Sequence, residues 1–278
     1  KCIISDHWKS LELIKTNKKK ICLIHSKEIN HDNGSRLNKR ATNVLNNVDY
    51  VISNSEFTKN LAINKGVKAE NIRVINPGVY PPEEIDKKFL KEADKILEKR
   101  NPRLITVSRY DKRKNHEKVI MALRNLTEIY PSIIYTCIGY GDEEENLKKL
   151  VNELDLKKHV NFLSNISQEL KNALIQKSDV FVMPSIIHKK SVEGFGIAYV
   201  EAAQYGVPSI GGKDGGAADA IKDNESGIIC DGNNLDEVYV SIKNLIDNKK
   251  FMEFGKKAKE LSKNYLWENI LIKYKEIL

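Results

Sequence analysis

Short β-branched apolar runs alternate with longer stretches in which apolar residues recur every three to four positions, and the alternation continues through most of the chain. The runs predict strands at 21–25, 49–52, 72–75, 104–108, 133–138, 160–163, 180–183, 207–210 and 227–230. The stretches between them predict helices at about 34–46, 55–66, 115–130, 142–155, 167–177, 193–205, 214–222 and 234–248. Ser55 and Asn115 stand where N-caps belong, and Ser167 opens another helix. Strand–helix alternation of this kind builds parallel sheets with helices on both faces, an α/β fold.

The run Asn76-Pro77-Gly78-Val79-Tyr80-Pro81-Pro82 can continue neither regular structure and marks a boundary. A charged helix follows at 84–100, then Asn101-Pro102, and a new strand begins. The chain therefore divides into a short first domain, 1–82, and a longer second domain, 83–264. The remainder, 265–278, predicts an amphipathic helix with Trp267, Ile270, Leu271 and Tyr274 on one side.

Hydrophobic residues make up 41% and charged residues 30% of the 278 positions, a balance that supports a folded core and argues against disorder. No apolar run approaches the roughly 20 residues of a membrane span. The first residues hold no long apolar stretch, so no signal peptide is expected. Cys2, Cys22, Cys137 and Cys230 are scattered without a CxxC pair and read as core thiols of a reducing, cytoplasmic setting. The net charge of +8 is uneven: residues 1–80 carry 14 Lys+Arg against 7 Asp+Glu, so +7 of it lies there. Lys18-Lys19-Lys20 and the Arg36, Lys39, Arg40 cluster supply much of the excess. It reads either as an ordinary solvated face or as attraction to an anionic partner, such as a phosphorylated acceptor or an acidic membrane surface. No nucleic-acid reader motif accompanies the charge, so nucleic acid is not an expected partner.

The densest chemistry lies after the predicted strand 180–183. Pro184-Ser185 is followed by Glu193-Gly194-Phe195-Gly196-Ile197, and then by Glu201. Ligands of open α/β sheets sit at such strand ends, where a helix N-terminus favours negative charge and glycines let backbone N–H groups approach. A diphosphate suits that place. With both residues on one helix, Glu193 and Glu201 would stand about 12 Å apart along the axis, rotated by about 80°. A retaining glycosidase holds its carboxyl groups about 5–5.5 Å apart, so this is no glycosidase pair. The spacing fits instead a ligand with hydroxyls at both ends, a sugar and a ribose.

A second constellation, Ser108-Arg109-Tyr110-Asp111-Lys112-Arg113-Lys114-Asn115, also follows a strand and precedes a helix. Arg109 and Lys114 can both reach the crevice, hold a diphosphate and stabilise its charge as it leaves. Lys112 and Arg113 read as a solvated basic loop. No Asp-x-Asp pair occurs, so no metal site is expected. Gly139-Tyr140-Gly141 fits a tight turn beside a nucleotide base, and equally any strand-to-helix turn. Gly215-Gly216 before Ala217 is similar. His25 ends a predicted strand of the first domain and can face the crevice. The other five histidines read as surface or capping residues.

Together these residues resemble the retaining glycosyltransferases of family four, which have the GT-B fold of two Rossmann-like domains. The match runs from about Ile21 onward, through Ser53-Asn54-Ser55-Glu56, Ile75-Asn76-Pro77-Gly78-Val79, Ser108-Arg109 with Lys114, Gly139-Tyr140-Gly141, Pro184-Ser185 and the Glu193/Glu201 motif. The resemblance implies transfer of a hexose from a nucleotide-diphosphate sugar to a hydroxyl of a glycan, lipid or small molecule, with no further cofactor. It implies that Arg109 and Lys114 hold the donor diphosphate, that Glu193 and His25 lie by the transferred sugar, and that Glu201 binds the ribose. Gly194, Phe195, Gly196, Ile197, Gly139 and Gly141 complete the expected donor site. It further implies that the Trp267 helix crosses back onto the first domain. Two features depart from the family. Its strand-and-glycine-loop opening has no counterpart here, so the first domain is short or truncated, and Ser108-Arg109-Tyr110 replaces the more frequent Gly-Arg-Leu. A truncated chain that binds donor without turnover, and a nucleotide-sugar 2-epimerase of the same architecture, remain alternative readings.

Overall fold

The computed structural model describes residues 1–278 and contains two parallel sheets. The first joins β1 (Cys2–Ser5), β2 (Lys19–Ile24), β3 (Tyr50–Ser53) and β4 (Ile72–Val74) in chain order. The second joins β5 (Arg103–Val107), β6 (Ile134–Ile138), β7 (Val160–Leu163), β8 (Val180–Met183), β9 (Ser209–Gly212) and β10 (Gly227–Cys230), in the order β10-β9-β8-β5-β6-β7. Every ladder within them is parallel. These are the two Rossmann-like halves of the GT-B fold.

The central strands of the second sheet are apolar on both faces because helices cover both. Val180 and Val182 of β8 enter one core with Leu104, Tyr135 and the His116–Ile129 and Leu235–Ile246 helices. Phe181 and Met183 enter the other, with Ile105, Phe195 and Tyr199. The strand order reverses between β5 and β8. Connections there leave towards opposite faces, and the gap beyond their carboxyl ends is the natural crevice of such a sheet.

One strand and two helices escaped the periodicity, one of the helices being the single turn Trp8–Leu11. β1 is a four-residue edge strand with Ile4 about half exposed, too short a run to stand out. The Lys250–Ser262 helix is rich in Lys and Glu, and at Gly255 it runs directly over the Gly206 carbonyl.

The Trp267–Lys275 helix lies on the first sheet, where Ile270 and Ile277 form a core with Ile21, Ile52 and Ile75. Leu271 sits at the edge of the apolar stripe and faces outward, not inward with its neighbours as the sequence pattern implied. The two chain crossings between the sheets are stitched together. Val79 donates its N–H to the Tyr265 carbonyl (2.8 Å), and Trp267 donates to the Val79 carbonyl (3.0 Å). Gly78 is required at this crossing, since a Cβ there would come within 2.4 Å of the Trp267 ring.

Lys19 and Lys20 begin β2, at the opposite end of the strand from His25. With Lys18, Lys68 and Asn71 they rim a polar concavity of about 510 Å³. All four cysteines are free thiols, and no helix is long and apolar enough to cross a membrane.

Candidate functional site

Beyond β5 the chain makes a tight turn in which Asp111 accepts the Lys114 backbone N–H (3.1 Å). Asn115 then takes a left-handed conformation (φ 63°) before the His116–Ile129 helix. Its side chain does not cap that helix. It donates to the carbonyls of Pro184 (2.9 Å) and Gly232 (2.7 Å), tying the loops after β5, β8 and β10 together.

This turn buries two cations. Arg113 Nη1 lies 2.7 Å and Lys114 Nζ 2.5 Å from the same oxygen, Glu193 Oε2. Arg113 is only 8% exposed, so it is no solvated loop residue, contrary to the sequence reading. Neighbouring basic residues look alike in a sequence, and only the backbone turn decides which points inward. Lys112 is exposed as expected. Asp111 Oδ2 lies 3.9 Å from Arg113 Nη2, and the buried Arg113 Nε has no partner. Burial alone would raise the Glu193 pKa, but Lys114 and Arg113 outweigh it and hold the carboxyl below its usual range.

Glu193 is not helical. The helix runs Ile197–Gln204, behind Gly196 at φ 91°. Glu193 lies in extended chain bridged to Gly215, and its carbonyl accepts the Gly216 N–H (2.8 Å). The separation and rotation expected from one continuous helix therefore do not apply. Glu201 sits in the helix, paired with Lys171 at 3.4 Å. With Ile197, Tyr80, Gln168, Asn172 and Trp267 it lines a cavity of about 340 Å³.

Gly194 meets the first domain. A Cβ there would stand 2.4 Å from the His25 carbonyl and 2.8 Å from Asn54 Nδ2. The structure thus brings the exposed His25 beside the Glu193-Gly194 turn across the two domains. Nearby, Lys190 pairs with Asp32 (2.7 Å), and Asp219 accepts the Glu56 backbone N–H (2.9 Å). Phe195 is core, its ring 5.5 Å from that of Tyr265, so only its backbone remains for a ligand. Gly139 and Gly141 press against the backbone of Ser108 and Tyr110, where a Cβ would clash at 1.9 and 2.4 Å. Their small size is what lets these two loops close on each other.

Arg109 does not join the Glu193 cluster. Its side chain is 71% exposed and touches only Asp111, at 3.4 Å. His116, read from sequence as surface or cap, is buried and bonded to both Ser108 and Tyr135. No sequence signal marked it, since a histidine opening a helix usually faces solvent.

Residues 87–264 match the family described as glycosyl transferases group 1. The chain is a member of that family. Residues 3–83 match a second family model, glycosyltransferase family 4. A curated relative from Mycobacterium tuberculosis (strain H37Rv), a GDP-mannose-dependent alpha-(1-6)-phosphatidylinositol monomannoside mannosyltransferase, is 26% identical over 83% of this chain and 61% of its own length. The chain thus spans about three-fifths of that relative. Among solved structures, Anabaena HepE in complex with UDP and glucose superposes with a TM-score of 0.80 at 21% identity, over 94% of this chain and 71% of that one. Sucrose-phosphate synthase from Thermosynechococcus elongatus does so with a TM-score of 0.81 at 21% identity, over 99% and 72%. At such identities these likenesses carry the fold.

Proposed function

We propose that the chain serves a retaining glycosyltransferase that moves a hexose from a nucleotide-diphosphate sugar to an acceptor hydroxyl. The observation that carries this reading is the convergence of Arg113 and Lys114 on Glu193 at the switch point of the second sheet. Two cations face one carboxylate there, which favours a further anion. A diphosphate is the family's anion: the mycobacterial relative named above is GDP-mannose-dependent, and Anabaena HepE is in complex with UDP and glucose.

In the proposed reaction the acceptor oxygen forms its bond to the anomeric carbon on the face from which the carbon–phosphate oxygen bond breaks. The acceptor's proton passes to the departing phosphate oxygen. Lys114 and Arg113 stabilise the charge on that oxygen, and Arg109, with no buried partner, is available to close over the phosphates. Glu193 stands beside the sugar, with the His25 loop on the other side. Glu201, in its cavity, suits a ribose diol. Titration with UDP, GDP, ADP and their sugars tests the reading, since a bound ligand stabilises the fold. Failure of every one of them to bind would overturn it. Isomerised sugar nucleotide formed without acceptor would replace transfer by epimerisation.

Glu201→Ala is expected to weaken nucleotide binding roughly 10-fold to 100-fold, from loss of one or more charged hydrogen bonds. Its folding should change little, because Glu201 is a third exposed with one weak ion pair. Unchanged affinity by calorimetry would remove Glu201 from the site. Chelation with EDTA is expected to leave transfer intact, since side-chain cations face the diphosphate. Turnover abolished by EDTA and restored by Mg²⁺ or Mn²⁺ would assign that work to a metal instead.

A further inference from the structure

Behind Arg109 runs a buried hydrogen-bond chain that the proposed reaction does not use. At its deep end the Thr106 hydroxyl donates to the Val182 carbonyl of β8. Tyr135 Oη lies 2.7 Å from Thr106 Oγ1, and His116 Nδ1 lies 2.9 Å from Tyr135 Oη. His116 Nε2 lies 3.0 Å from Ser108 Oγ, at the mouth of the crevice. Thr106 and Tyr135 have no exposed surface and His116 has 2%.

The direction of every proton follows from the deep end. A carbonyl only accepts, so Thr106 must donate to it. Thr106 has then no proton for Tyr135, so the Tyr135 hydroxyl donates to Thr106. Tyr135 in turn must accept from His116, which places the imidazole proton on Nδ1. Burial and the nearby Lys114 cation push the His116 pKa down to about 3, so the ring is neutral and Nε2 is bare. Ser108 therefore gives its only proton inward to Nε2. Its 3.2 Å contact with the Arg109 carbonyl is left without one.

Ser108 immediately precedes Arg109. An exposed arginine samples many rotamers, and Arg109 has only the Asp111 contact to restrain it. Its aim depends on the backbone that presents it. We propose that His116 is a positioning residue, which through Ser108 fixes the turn presenting Arg109 to the donor diphosphate. This role rests on the nucleotide-sugar reading of the crevice.

Calorimetry with UDP and GDP on wild type and four single variants, plus one double variant, tests it. Ser108→Ala is expected to weaken the preferred nucleotide roughly threefold to tenfold, the effect of one hydrogen bond. His116→Asn can reach Tyr135 but not Ser108, and should match that loss. His116→Gln can reach Ser108 and should restore most of the affinity. In an Arg109→Ala background the Ser108→Ala effect should vanish, because the two act through one contact. Equal losses in the Asn and Gln variants, or an undiminished Ser108→Ala effect without Arg109, would overturn the role. Wild type that binds no nucleotide would instead overturn the reading of the crevice, and the role with it. Imidazole ¹⁵N spectra need no ligand: a proton on Nδ1 and a bare Nε2 are expected, and the opposite tautomer would also overturn the role.

Discussion

Glu193→Gln should lower the stability of the ligand-free protein by about 3 kcal/mol, because it leaves two buried cations without their counter-charge. Lys114 and Arg113 share one oxygen of this carboxylate, and the only other anion near them is Asp111, 3.9 Å from Arg113. A drop of roughly 6–12 °C in the thermal midpoint follows for a chain of this size. The pH dependence has a definite sign. A carboxyl held below its usual range in the folded state contributes stability above that range and loses it as pH falls through the lowered value. The wild-type advantage should therefore be complete at pH 7 and fade in strong acid. Added pyrophosphate should stabilise the variant more than wild type, since it supplies the missing charge. A variant with an unchanged midpoint, indifferent to pyrophosphate, would show that the cluster does not depend on its anion.

The second large effect concerns His116. Its pKa of about 3 lies far below the ordinary value near 6.5, because burial and Lys114 both oppose the charged ring. Between those values the unfolded chain binds a proton that the folded chain refuses, so stability falls as pH falls. The slope is about 1.4 kcal/mol per pH unit for one group. From pH 7 to 4.5, wild type should lose about 2.5 kcal/mol more than His116→Gln, whose side chain does not titrate. Urea midpoints for both proteins across that range measure the difference, and other groups cancel in the subtraction. Parallel curves would mean that the ring takes its proton while folded.

The α/β class and nine of the ten strands were readable because buried parallel strands demand unbroken apolar runs, as in Val180–Met183 and Gly227–Cys230. The GT-B architecture followed from motif order, not from periodicity. What periodicity could not see was backbone handedness. Gly196 at φ 91° keeps Glu193 out of the helix that the spacing to Glu201 seemed to require. Asn115 at φ 63° leaves the turn before the helix left-handed, and of Lys112 and Arg113, both read as solvated, Arg113 proves to be buried. His116 was missed for a related reason. Its partners Ser108 and Tyr135 are eight and nineteen positions away, and only the fold brings them together. The site residues Lys114, Glu193, Gly194 and His25 do meet in one place, whereas Arg109 and Glu201 lie apart from that cluster.

The pair of hydrogen bonds joining Val79 to Tyr265 and Trp267 gives the molecule an unusual connectivity. The second sheet enters and leaves the first through a single point, so it is in effect an insert in the first, closed at its neck. The Trp267–Lys275 helix belongs to the first half, on whose sheet it packs. It follows that two cuts, not one, are needed to separate the halves. A nick at Pro82 alone would leave them hinged, held by the strand of chain that returns through Tyr265.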